Sequence, residues 1–179
     1  MNRAIFIDKD GTLIEDVPYN VDPAYVRLES YALQSLSRLQ KEGFYLVIIS
    51  NQPGISLGYF TEEELKGIEH RINELLFSKG IKLDGFYFCP HDAGEDCDCR
   101  KPKPGLLFKA AEELEIDLTQ SWMIGDILND VEAGRRSACK TILIDNGNET
   151  EWILDRNRMP HYMAKDLKEA AEFILLDPA

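Results

Sequence analysis

The sequence predicts an α/β protein: three layers, with a parallel sheet between helices on both of its faces. Three observations carry this. Short and almost wholly apolar runs recur along the chain, as strands buried on both faces do. Helix-period segments long enough for crossover connections stand between them. Polar and acidic residues gather where the apolar runs end, and open α/β sheets bind their ligands outside those ends. The 179 residues, 44% of them hydrophobic, are read as one domain over 1–179 with a core of useful size.

The first run, Ala4-Ile5-Phe6-Ile7, leads into Asp8-Lys9-Asp10-Gly11-Thr12. In extended backbone Asp8 and Asp10 project to one side and Lys9 to the other, so Lys9 is left out of the candidate site. Two carboxylates held this close repel, and both stay ionised only where a cation or strong donors compensate. Gly11 allows the backbone to turn there, and Thr12 adds a hydroxyl. Residues 15–30 form a polar loop containing Pro18, Tyr19 and Pro23. A loop of that length beginning beside the two aspartates is a candidate substrate-facing flap.

Leu33, Leu36 and Leu39 predict a helix over 32–42 ended by Gly43. Residues 44–49 are a second strand, which closes on Ser50-Asn51-Gln52-Pro53-Gly54. Thr61 and Glu64 form a capping box for a helix whose apolar face is Leu65, Ile68, Ile72, Leu75 and Leu76, with Gly80 as the stop. His70 falls off that face. A third strand at 86–88 runs into a loop rich in cysteine, and Pro104 opens a helix reaching about residue 115. A fourth strand at 121–125 ends at Asp126. A helix over 129–136, a fifth strand at 141–144 and a last helix over 164–176 complete the chain, with a polar and mobile stretch at 145–160.

A net charge of -12 argues against a nucleic-acid partner. It also means that an anionic substrate must be drawn by local cations or a metal. No apolar run is long enough to span a membrane. The run from Met1 straight into a strand reads as having no signal peptide, so a cytoplasmic monomer is expected.

The strand ends taken together form a chemical constellation. Asp8, Asp10 and Asp126 are a set of oxygen donors suited to Mg²⁺. Ser50, Asn51 and the basic residues Arg100, Lys101 and Lys103 suit a phosphoryl group. One mechanism uses them all: Asp8 attacks phosphorus, and Asp10 first donates and later accepts a proton. Cys89, His91, Cys97 and Cys99 supply three thiolates and an imidazole within eleven positions, a set that closes a tetrahedral structural Zn²⁺ site. Cys139, far along the chain, reads as a small buried residue.

Four features in order resemble the motifs of the haloacid dehalogenase superfamily of phosphohydrolases. These are Asp8-x-Asp10-Gly11-Thr12, Ser50 after the second strand, the Arg100-Lys101 region, and Gly125-Asp126-x-x-x-Asp130. The resemblance implies a Rossmann-like fold. It also implies that Mg²⁺ is held by Asp8, Asp126 and the backbone carbonyl of Asp10, with Asp130 acting from behind. Cys89-Pro90-His91 and Cys97-Asp98-Cys99-Arg100-Lys101-Pro102 are similar to the zinc-containing, minimally capped phosphatases of that superfamily. Those act on D-glycero-D-manno-heptose 1,7-bisphosphate or on histidinol phosphate.

Asn51-Gln52-Pro53-Gly54-Ile55 is closer to the heptose group. The expected substrate is therefore a small phosphorylated sugar. Thr12, Ser50, Asn51, Gln52 and Arg100 are expected to bind it, and Lys101 to steady the phosphoryl group. Histidinol phosphate is the alternative. A phospho-acceptor signalling module would also gather carboxylates around Mg²⁺, but Asp10 argues against one. Asp8, Asp10 and Asp126 together argue against a zinc-binding protein without catalysis.

Overall fold

A computed structural model describes residues 1–177. Its sheet has six strands, all parallel: β1 (Arg3–Ile7), β2 (Phe44–Asn51), β3 (Gly85–Cys89), β4 (Trp122–Gly125), β5 (Lys140–Ile144) and β6 (Tyr162–Ala164). Their order is β3-β2-β1-β4-β5-β6. The connections run outward from β1 in one direction and then restart at β4 in the other. The gap between β1 and β4 is therefore the topological switch point, where open α/β sheets bind ligands.

Alternation along β1 decides what each face packs against. Ile5 and Ile7 join the core built with α1 (Ala32–Lys41), α2 (Glu62–Phe77) and α5 (Leu167–Leu176). Ala4 and Phe6 join the opposite core, built with α3 (Gly105–Glu113) and with Ala133 of α4 (Leu128–Arg136). The expected capping box holds at the start of α2. Thr61 Oγ1 accepts from the Glu64 N–H at 3.2 Å, and Glu64 Oε2 accepts from the Thr61 N–H at 2.9 Å, which satisfies two orphan donors of α2.

Several boundaries differ from the sequence expectation. β2 continues through Ser50 and Asn51, so both sit on the strand's last turn of pleat rather than beyond it. β6 was not expected, and it takes Ala164, so α5 begins at Leu167 with Asp166 as its N-cap. Pro104 is the N-cap of α3 rather than its first helical residue. α2 ends at Phe77, and Gly80 follows in a turn at φ +70. The loop 15–30 contains a short 3₁₀ turn at Pro23–Tyr25. Its base is pinned by the Glu15 N–H bonding the Arg27 carbonyl at 2.9 Å. No helix among the described residues is long and apolar enough to cross a membrane.

Candidate active site

Asp8 leaves β1 with its N–H still bonded to the Ile124 carbonyl of β4, at 2.9 Å. That bond brings its side chain beside the end of β4, where Asp126 emerges. The chain then folds back on itself: the Leu13 and Ile14 N–H groups both bond the Lys9 carbonyl, at 3.1 and 3.0 Å. Gly11 makes this possible. It has φ +79, and a Cβ there would lie 2.4 Å from Asp126 Oδ2. Gly125 is required for a related reason, because a Cβ would meet the Asp130 side chain at 2.2 Å.

One carboxylate oxygen each from Asp8, Asp126 and Asp130 lie within 4.8 Å of one another, and all three residues are buried. Lys101 is buried with them. Its Nζ stands 2.6 Å from Asp8 Oδ1 and 2.7 Å from Asp130 Oδ1, and it donates to the Ile49 carbonyl at 2.8 Å. Burial opposes the charge on Lys101, but Asp130 and Asp8 outweigh it and raise the ammonium's pKa.

Three carboxylates facing one ammonium leave two negative charges uncovered. Burial, reinforced by Asp130 and Asp126, lifts Asp8 well above the usual carboxylate range despite Lys101. Burial and then Asp130 push Asp126 up to about 6. Asp130 Oδ1 has to share the one Lys101 ammonium with Asp8. A hard divalent cation on these oxygens offsets the uncovered negative charge, so the residues fit Mg²⁺. An Asp130 oxygen thus lies close enough to the other two to be counted with them as a possible ligand. Asp130 Oδ2 accepts from the Ile127 N–H at 3.3 Å at the start of α4.

Asp10 is held apart from this group. Lys9 Nζ lies 2.8 Å from Asp10 Oδ1, and Gln52 Nε2 donates to Oδ2 at 3.2 Å. The expectation that Lys9 points away is wrong. The backbone leaves extended geometry right after Ile7, so strict alternation ends there, and Lys9 is buried against its neighbour. Gln52 also donates to Ser50 Oγ at 2.7 Å.

Asn51 grips the backbone of Lys101 reciprocally. Its Oδ1 accepts from the Lys101 N–H at 3.0 Å and its Nδ2 donates to the Lys101 carbonyl at 3.1 Å. Both hydrogen-bonding groups of Asn51 are therefore spent on placing Lys101. Thr12 is buried, and its hydroxyl has no hydrogen-bond partner among the described residues. The loop residues Asp16 to Asn20, with Lys9, Asp10, Asn51 and Gln52, line a cleft of about 280 Å³. Tyr19 at its rim packs edge-on against Tyr59, with ring centroids 4.7 Å apart.

The cysteine loop closes on itself beside this site. His91 Nδ1 lies 3.4 Å from Cys89 Sγ and 3.3 Å from Cys99 Sγ, and Cys97 Sγ is 3.8 Å from Cys89 Sγ. All four donor atoms lie within 4.8 Å. Three sulfurs and one imidazole nitrogen at this spacing fit Zn²⁺ and not a hard oxygen-seeking ion. The backbone N–H groups of Arg100 and Cys99 bring the Cys97 thiol down to about 7 against the opposing effect of burial. Arg100 follows directly and donates to the His91 carbonyl at 3.2 Å. Cys139 is buried on the α3 side of the sheet, away from this cluster.

Known proteins share this framework. A HAD-hydrolase-like family model matches residues 98–170. The chain is 37% identical to the D-glycero-β-D-manno-heptose-1,7-bisphosphate 7-phosphatase of Pasteurella multocida, covering 97% of each chain. It is 40% identical to the protein of the same name from Haemophilus influenzae, over 87% of this chain and 90% of that one. In structure it is similar to the D,D-heptose 1,7-bisphosphate phosphatase of B. bronchiseptica complexed with magnesium and phosphate. The TM-score there is 0.83, with 27% identity and coverage of 97% and 98%.

Proposed function

The chain belongs to the haloacid dehalogenase-like phosphatases, in the family of the D-glycero-β-D-manno-heptose-1,7-bisphosphate 7-phosphatases, and from that membership we propose that it removes the C7 phosphate of a heptose 1,7-bisphosphate through an aspartyl-phosphate intermediate. The observation that carries the reading is the buried group of Asp8, Asp126 and Asp130 around Lys101 at the switch point of the sheet. Histidinol phosphate is the less favoured substrate, because these relatives at 37–40% identity bear the heptose name.

Asp8 and Asp126, with the Asp10 carbonyl and with Asp130 close by, would hold Mg²⁺. When bound, the ion supplies charge neutralisation that lets an anionic substrate approach an anionic nucleophile. Asp8 attacks phosphorus; the bond to the sugar oxygen breaks and a carboxyl–phosphate bond forms. Asp10, in its acid form, gives the leaving oxygen a proton. As the carboxylate, it then takes one from the water that hydrolyses the intermediate. Gln52 and Lys9 fix the direction in which Asp10 points. Lys101, donating to Asp8 and anchored by Asn51, meets the charge that gathers on the phosphoryl oxygens. Ser50, Thr12 and Arg100 are the remaining candidates for contacts to phosphate and sugar.

Zn²⁺ on Cys89, His91, Cys97 and Cys99 would fill every ligand position with protein. It would thus hold the loop that delivers Arg100 and Lys101 rather than activate water. We further infer a cytoplasmic monomer. Cysteines held as reduced metal ligands suit a reducing compartment.

Steady-state kinetics on the α and β anomers of heptose 1,7-bisphosphate and on histidinol phosphate test the proposal. The expected result is the highest kcat/KM on a heptose bisphosphate, the β anomer leading. A higher value on histidinol phosphate would reverse it.

A further inference from the structure

One loop reaches into the magnesium site without belonging to any of its motifs. It follows β5 and runs through Asn146-Gly147-Asn148-Glu149, and residues 145–148 are exposed at the surface. Yet each polar side chain in it binds a different piece of the buried site. Asn146 Nδ2 donates to the Gly11 carbonyl at 2.8 Å. Asn148 Nδ2 donates to Asp126 Oδ2 at 2.7 Å. Glu149 Oε2 accepts from the N–H of Leu128, the first residue of α4, at 2.6 Å. Gly147, at φ +87, turns the chain between the two asparagines, and the Asn148 N–H returns to Asn146 Oδ1 at 3.2 Å.

The two asparagine contacts meet around Gly11. A Cβ at Gly11 would be 2.4 Å from Asp126 Oδ2 and 2.7 Å from Asn148 Nδ2. No side chain can enter there, and the Asn148 amide is the neighbour that Asp126 Oδ2 receives. An aspartate carboxylate turns freely about its last bond unless one oxygen is held. Holding Oδ2 directs the other oxygen. A neutral amide does this without placing a positive charge beside a site meant for a cation, and a carboxylate in its place would have no donor to offer.

We propose that Asn148 is a positioning residue for the magnesium ligand Asp126, and that Asn146 and Glu149 are the struts that keep Asn148 in place. The inference rests on the reading of Asp126 as a ligand given above. It adds the loop after β5 to those that build the site.

The test is isothermal titration of Mg²⁺ into the full chain purified with its zinc, with melting temperatures recorded in the absence of Mg²⁺. Asn148→Ala is expected to weaken Mg²⁺ binding by at least ~10-fold, the low end of what outer partners of metal ligands contribute. Its melting temperature should match that of the unsubstituted chain, because the residue lies at the surface. Its kcat should return to near the original value once Mg²⁺ is saturating. Glu149→Ala should weaken binding less, and Thr150→Ala, in the same loop but outside the hydrogen-bond set, not at all. Equal affinity in Asn148→Ala and Thr150→Ala overturns the inference, as does a lowered melting temperature with unchanged affinity. An unsubstituted chain that binds no Mg²⁺ overturns the reading of the site itself, and the inference with it.

Discussion

Four donors at the end of β3 and three at the ends of β1 and β4 are each packed within 4.8 Å, yet the two clusters are built in opposite ways. The sulfur cluster comes from one short stretch, residues 89–99, and supplies a full tetrahedral set. The oxygen cluster is drawn from residues up to 122 positions apart (8 to 130). It contains its own counter-cation, Lys101, and opens beside the cleft that carries Asp10. A full tetrahedral set holds a loop in shape; a partial set with negative charge in excess is left to bind and transform. The two are joined through the chain itself, since Cys99 precedes Arg100 and Lys101 directly. The loop that closes on the sulfurs is the same loop that delivers the ammonium to Asp8.

Metal removal should separate the clusters most sharply. Stripping the thiolate ligands, by chelation or by Cys99→Ser, should lower the melting temperature by ~10 °C or more. It should also expose residues 90–104 to protease, and Mg²⁺ should not restore activity. Removing Mg²⁺ alone should abolish activity while shifting the melting temperature by only a few degrees, and adding it back should restore turnover in full. Equal thermal effects of the two removals would erase the distinction.

A smaller effect concerns pH. In the metal-free chain Asp126 titrates near 6, above the ordinary value of 3.8 that it regains on unfolding. Between those values the folded state binds more protons than the unfolded one, so stability falls as pH rises from about 4 to 6. Mg²⁺ should therefore stabilise the chain more at pH 7 than at pH 5, as melting curves with and without the ion would show. Asp126→Asn should flatten both the metal-free slope and the gain from Mg²⁺. A larger gain at pH 5 would contradict this account of the oxygen cluster.

The five longer strands and the sulfur cluster were legible because their signals are local. Apolar runs such as Leu46 to Ile49 announce buried strands, and Cys89, His91, Cys97 and Cys99 lie close in sequence. The acidic site was legible at Asp8 and Asp126 because each ends such a run. What the sequence hid depends on the third dimension. Lys9 turns toward Asp10 because the backbone folds just after the strand. Asn51 serves Lys101 through a contact fifty residues away. Asn146 and Asn148 meet Gly11 and Asp126 across 135 and 22 positions, and two asparagines flanking a glycine read only as a turn. β6 was missed because it has three residues and its Met163 is exposed, so it lacks a buried run.

The central claim is that Asp8 becomes phosphorylated while Asp10 moves protons. Asp10→Asn supplied with Mg²⁺ and an aryl phosphate, whose leaving group needs no acid, separates the two roles. Intermediate should form without its proton donor and then persist without its base. Acid quench, proteolysis and mass spectrometry should find one phosphoryl group on the peptide containing Asp8, and none when Asp8→Asn is added. A phosphoryl group on any other residue, or turnover with no covalent species in either variant, would contradict the account.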